Sequence, residues 1–154
     1  MNLNEEVEVL RNIPLFSKIE PARLKLLAFT SDRLTFQEGQ DLCVQGEMGN
    51  DAFIIVEGAC DVIISTPGGP IKVAEAHKYA FVGEIAILCD VPRTATVRAR
   101  TKVTVLRITK ELFFRMVLEF PQMGVEVMRE LAARLERTNI QLREARTALA
   151  AAPR

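Results

Sequence analysis

Glycines at positions 39, 46, 49 and 58, followed by Pro67-Gly68-Gly69, constrain this chain more than any other feature. They cut the sequence after Leu34 into pieces of strand length, among them DAFIIVEG and CDVIIST, rich in the β-branched residues that suit a pleated surface. TATVRAR and VTVLRIT add two more such pieces. A run of short strands punctuated by turns predicts an antiparallel barrel or roll. The period changes on both sides of this region. Val7, Leu10 and Ile13, then Leu24, Leu27 and Ala28 after Pro21, carry helical spacing, so two short helices are expected within residues 5–31. After Thr109, KELFFRMVLEF stops before Pro121, and from there to Ala150 there is no further proline and no glycine beyond Gly124. The predicted fold class is therefore α+β, mainly β. It is an antiparallel β-roll or jelly-roll barrel over residues 32–109, with short N-terminal helices, a short helix inserted in the roll and, over 110–150, C-terminal helices ending in a long one. With 154 residues, 49% of them hydrophobic, the chain suffices to bury the core of one domain over 1–154.

Within the roll, the segment FVGEIAILCDVPRTATVRA places Glu84 and Arg93 in runs that otherwise read as core. Buried charges are costly unless paired, so either these two satisfy each other or each awaits a ligand group. A strand leaving at Phe81-Val82, a turn at Gly83 and a single helical turn through EIAIL would leave the first helical amides without partners, an arrangement that attracts phosphate. Arg93 would add a guanidinium fork to the same anion and Thr94 a hydroxyl, while Glu84 would accept from a neutral hydroxyl. A phosphate, a fixed cation and a carboxylate seeking a hydroxyl describe a sugar phosphate or nucleotide.

GEIAILCDVPRTATV resembles the phosphate-binding cassette of the cyclic nucleotide-binding domain family, G-E-[IL]-A-L…P-R-[AST]-A-T-V. Upstream, EGQDLCVQGEMGNDAFIIVEGACDVII is similar to the family's strand and turn pattern, with Gly39, Gly46 and Gly58 at its glycine positions, and the likeness extends over residues 5–148. The resemblance implies a cassette over 82–95 lined by Val82, Gly83, Glu84, Ile85, Ala86, Arg93, Thr94 and Ala95. In it the cyclic phosphate is held by Arg93 with the backbone at Ala86 and Thr94, and the ribose 2′-hydroxyl by Glu84. Many family members carry a glycine five residues before the glutamate, where this chain has Tyr79. LAARLERTN resembles the lid helix of the catabolite-activator branch of the family, which implies that Thr138 and Asn139 contact the base and that Arg134 lies near the ligand. Thr94 occurs in members that favour guanine, but the helix likeness favours cAMP over cGMP as the ligand.

In the last helix Met128, Leu131, Leu135, Thr138, Leu142, Ala145 and Leu149 recur in steps of three and four, a heptad seam with a hydroxyl at its centre. Such a stripe either packs on the roll or pairs with a second copy; its persistence over three heptads favours a homodimer. Other functions have little support in the residues. A single histidine, His77, and three cysteines without C-x-x-C spacing, Cys43, Cys60 and Cys89, suggest neither a metal site nor a disulfide framework. No P-loop, acidic metal cluster or Ser-His or Cys-His pairing points to an enzyme, and no cofactor beyond the nucleotide is expected. Zero formal net charge, and no recognition-helix unit after Ala150, argue against DNA binding by this chain. The absence of an apolar run of about 18 residues argues against a membrane span, and the expected location is cytoplasmic. The expectation is a cyclic nucleotide sensor that couples ligand binding to helix position and dimer state and is read by a further protein. The alternatives are a regulatory piece of a larger channel, kinase or transcription factor, or a dimerisation module without ligand. The intact Gly83, Glu84 and Arg93 argue against the last of these.

Overall fold

The computed structural model describes residues 2–13 and 16–152, so positions 1, 14, 15, 153 and 154 of the domain expected over 1–154 lie outside the described residues. Two helices, α1 (Leu3–Arg11) and α2 (Pro21–Thr30), lead into six strands: β1 (Asp32–Phe36), β2 (Asp41–Cys43), β3 (Asp51–Glu57), β4 (Cys60–Thr66), β5 (Gly69–Ala76) and β6 (Phe81–Val82). The short helix α3 (Glu84–Cys89) precedes β7 (Thr96–Ala99) and β8 (Val103–Thr109), and α4 (Lys110–Glu119) and α5 (Pro121–Ala151) follow. The strands form two antiparallel four-stranded sheets, ordered β1-β8-β3-β6 and β2-β7-β4-β5, which is the expected roll.

The pieces cut by glycine are strands, with two refinements. GPIKVAEA, which carries no clear two-residue alternation, is β5, paired with β4 from Cys60↔Ala76 to Thr66↔Gly69. It lies at the edge of its sheet, where the missing amide of Pro70 costs no ladder bond. TATVRAR starts as a strand only at Thr96, because Arg93 is drawn into a different pairing: its amide donates to Glu47 O at 2.9 Å and its carbonyl accepts from Gly46 N at 2.9 Å.

Strand β3 is apolar almost throughout because both of its faces are covered. Ala52, Ile54 and Val56 join a cluster with Leu10, Leu24 and Leu27 of the N-terminal helices, Ile87 of α3, Phe113 and Met116 of α4, and Met123 and Val127 of α5. Phe53 and Ile55 point the other way, into the interior of the roll with Leu42, Cys60, Val97, Val103 and Val105. The inserted α3 is thereby anchored from beneath by Ile87 and Ala86, both buried, leaving its first turn facing the gap between β6 and the 91–95 loop.

Thr109 caps α4, its hydroxyl accepting from Leu112 N at 3.1 Å, and Pro121 opens α5 at its first turn. The buried residues of α5 are Met123, Glu126 and Val127; Glu130 and Arg134 are half-buried, and residues 135–151 are all exposed. Beyond Leu131, which borders the body, the described seam has no intrachain partner: Leu135 is 61% and Leu149 77% exposed. Of the two readings of the heptad stripe, packing on the roll describes the helix only as far as Arg134. No described helix is long and apolar enough to cross a membrane.

Candidate functional site

Gly83 is the N-cap of α3 with φ 85°, a left-handed turn that reverses the chain out of β6. A Cβ here would stand 2.7 Å from Arg93 Nη1, so Gly83 is required both by its backbone angle and by the arginine lying against it. Gly49 confines the same side chain from the opposite direction: a Cβ on it would fall 2.3 Å from Arg93 Nε and Nη2. Between the two glycines Arg93 is 6% exposed. Nη1 donates to Gly83 O at 3.2 Å and Nη2 to Asp51 Oδ1 at 2.5 Å, while the guanidinium carbon stands 6.0 Å from the centre of the Phe53 ring. Asp51 is shared, since its other oxygen accepts from Arg107 Nε at 2.6 Å, and Arg107 in turn donates to Asp32 at 2.8 Å.

Glu84, 9% exposed at the first position of α3, does not pair with Arg93. It accepts instead from Nη1 of Arg134, which reaches back from α5. Of the two possibilities the sequence left open for these charges, direct pairing is therefore absent, and each is held by a third residue that sequence spacing does not reveal. The Arg93 partner lies 42 residues away and the Glu84 partner 50.

The groups converge on one cavity of about 590 Å³, within the range of small-molecule sites. Of the residues expected at the site, Val82, Gly83, Glu84, Ile85, Ala86, Arg93, Thr94, Ala95 and Arg134 all line it. Thr138 and Asn139 do not. Both are exposed on the free part of α5, and the Thr138 hydroxyl donates to its own helix at Arg134 O, 3.0 Å away. The cavity is completed by residues the sequence did not single out. Val62, Ala74 and Ala76 come from the β4–β5 hairpin, and Cys43 from β2. Burial pushes the Cys43 thiol above its ordinary pKa despite the opposing pull of Arg93, so it faces the cavity as a neutral, weakly polar group. Asp51 and Gly49 are also missing from the expected set; the signal available was a Gly-x-Asp just before the most apolar strand, which motif reading took only as punctuation. Among the described residues no three His, Cys, Asp or Glu side chains group so as to hold a metal ion.

A roll with an inserted helical turn, a confined arginine and a carboxylate on a common cavity has the groups to hold a small anionic molecule with hydroxyls. The model of the cyclic nucleotide-binding domain matches residues 33–120, more than half of the sequence, and the chain belongs to that family. It is 32% identical over 109 residues to the cAMP-dependent protein kinase regulatory subunit of Blastocladiella emersonii, covering 70% of this chain and 27% of the relative. It is 33% identical over 120 residues to a cyclic nucleotide-gated potassium channel of Mesorhizobium japonicum, covering 78% of this chain and 32% of the relative. The chain thus spans about a quarter to a third of the length of these curated relatives. Among solved structures, the catabolite activator protein of Thermus thermophilus superimposes with a TM-score of 0.80 at 21% identity, over 86% of this chain and 62% of that one, a likeness of fold.

Proposed function

We propose that this chain is a cyclic nucleotide sensor whose ligand is cAMP. The observation that carries the reading is the placement of a buried Arg93 and a buried Glu84 on one cavity, each engaged by a group that a ligand can replace or share. The cyclic phosphate takes the Arg93 fork on the side now occupied by Gly83 O, with the first amides of α3 and the backbone at Ala86 and Thr94 completing its shell. Glu84 accepts the ribose 2′-hydroxyl. The choice of adenine over guanine is supported by relatives named as cAMP-dependent, against Thr94, whose hydroxyl suits either base.

Arg134 gives the ligand a route to the rest of the molecule. It is the one α5 side chain that bonds the cassette helix, so a ribose hydroxyl arriving at Glu84 changes what holds the free part of α5 near the roll. A ligand that binds better with α5 in one position shifts the population toward that position. The exposed seam from Met128 to Leu149 supports a homodimer through α5, with output read by a further protein or by the remainder of a longer one. Thr138 and Asn139 would meet the base only after α5 moves or when a partner copy presents them. Free thiols at Cys43, Cys60 and Cys89 are consistent with a reducing compartment such as the cytoplasm.

Calorimetry with cAMP and cGMP tests the reading. One site per chain, with cAMP the tighter ligand, is expected. No heat and no thermal stabilisation with either nucleotide would overturn it.

A further inference from the structure

Tyr79 lies in the left-handed region at φ 77°, a conformation that side-chain-bearing residues rarely adopt. Among the described non-glycine residues only Asp90 shares it, and aspartate tolerates that conformation far better than an aromatic residue. The angle is imposed by the backbone. Tyr79 N donates to Ile55 O at 2.8 Å, Ala80 N to His77 O at 2.9 Å, and Ile55 N to Ala80 O at 2.9 Å, so β3 fixes the turn whatever side chain it carries. Glycine would meet the same constraints without strain. The turn has no need of a tyrosine, and a strained residue retained where a simpler one fits points to a use for its side chain.

The position of the residue indicates that use. Tyr79 is 37% exposed, with Lys78 Nζ 5.3 Å from its ring centre. It lines the 590 Å³ cavity with Glu84 and Arg93, and also a neighbouring apolar cavity of about 200 Å³ beneath α5, with Phe81, Phe113, Leu131 and Arg134. It therefore stands where the two meet, as does Glu84, the carboxylate assigned to the ribose, and the smaller cavity is lined by none of Ala86, Arg93 and Thr94, the residues assigned to the phosphate. A nucleotide whose phosphate is held at Arg93 and whose sugar is held at Glu84 carries its base on the other side of the sugar from the phosphate, and the smaller cavity, which Glu84 lines and Arg93 does not, offers that space.

We propose that Tyr79 is a nucleotide-contacting residue, its ring forming the base-side wall against which the purine stacks. The inference rests on the cyclic nucleotide reading above. Stacking of a base on an aromatic ring tolerates any purine, so Tyr79 strengthens binding of cAMP and cGMP alike and leaves discrimination to other groups.

The composition provides a direct probe. The chain has one tyrosine and no tryptophan, so tyrosine-excited emission reports on Tyr79 alone. Titration with cAMP is expected to change that emission saturably, at the stoichiometry found by calorimetry. Tyr79→Phe, which keeps the ring, binds within about twofold of wild type, and Tyr79→Gly loses roughly 5- to 150-fold in cAMP affinity. Ribose 3′,5′-cyclic phosphate without a base serves as the control, expected to bind wild type and Tyr79→Gly equally. A Tyr79→Gly protein that binds cAMP as wild type does, or that loses the baseless ligand to the same degree, overturns the proposal whatever the emission does. A wild type that takes up no cyclic nucleotide overturns the cyclic nucleotide reading itself, and this one with it.

Discussion

Arg93 is a buried cation that the fold has made a place for before any ligand arrives. Asp51 and the Gly83 carbonyl satisfy it, and Gly49 and Gly83 have no side chains because the guanidinium occupies the space. The arrangement leads to a prediction that separates position from charge. Gly49 does not lie at positive φ, so Gly49→Ala adds little backbone strain, yet its methyl must displace the guanidinium. Charge-assisted bonds are worth about 1.5–3 kcal/mol, so the variant should lose roughly 10- to 150-fold in cAMP affinity with every charged residue intact. Calorimetry on Gly49→Ala beside Arg93→Leu checks this; unchanged affinity in the alanine variant would show that the arginine need not sit where the glycines hold it. At this scale the sequence was legible in part. The motif identified Glu84 and Arg93, but Asp51, Gly49 and the Arg134 contact to Glu84 depend on which loops the fold brings together.

Among the elements, α5 is the one whose role is least explained by the rest of the chain. Thirty-one residues at about 1.5 Å each make a rod of roughly 46 Å, which touches the body only as far as Arg134. Full burial of a leucine is worth about 1.5–3 kcal/mol, so Leu131, Leu135, Leu142 and Leu149 from each of two helices supply at most about 12–24 kcal/mol, enough to offset the ~4–15 kcal/mol cost of association. In a monomer, Leu135→Glu on this exposed face should change stability by no more than about 0.5 kcal/mol. In a zipper it places like charges in the seam, and sedimentation should show the wild-type dimer replaced by monomers with the fold retained. A wild type that sediments as a monomer at high concentration would show that the stripe serves some other contact. Helical spacing was enough to identify this element and its apolar face. It was silent on packing, because an a/d stripe reads the same whether the roll or a second helix covers it.

For the molecule as a whole, nucleotide binding and folding are linked, since the site is assembled from β2, β4, β5, β6, α3, the 91–95 loop and α5 and does not exist in the unfolded chain. A ligand at a hundred times its dissociation constant contributes about 2.7 kcal/mol, which for a chain of this size raises the melting temperature by roughly 5–11 °C. Calorimetric scans with and without cAMP check this, and Arg93→Leu should shift far less at the same concentration. Equal shifts in the two proteins would place the phosphate elsewhere.

The sequence by itself determined the elements: where the period is two and where it is 3.6, where glycine or proline breaks it, and which short motif interrupts the roll. These are contests between near neighbours, decided by sterics and by the spacing of apolar residues along a few turns or pleats. Only the tertiary structure decided the partnerships. Arg93 meets Asp51 and not Glu84, Glu84 meets Arg134, and Thr138 stays outside the cavity, because each outcome depends on how loops separated by tens of residues close over two sheets. Tyr79 spans both levels. Its place in a turn is visible in the sequence, but the left-handed angle and the two cavities it lines exist only because β3 fixes that turn across the roll.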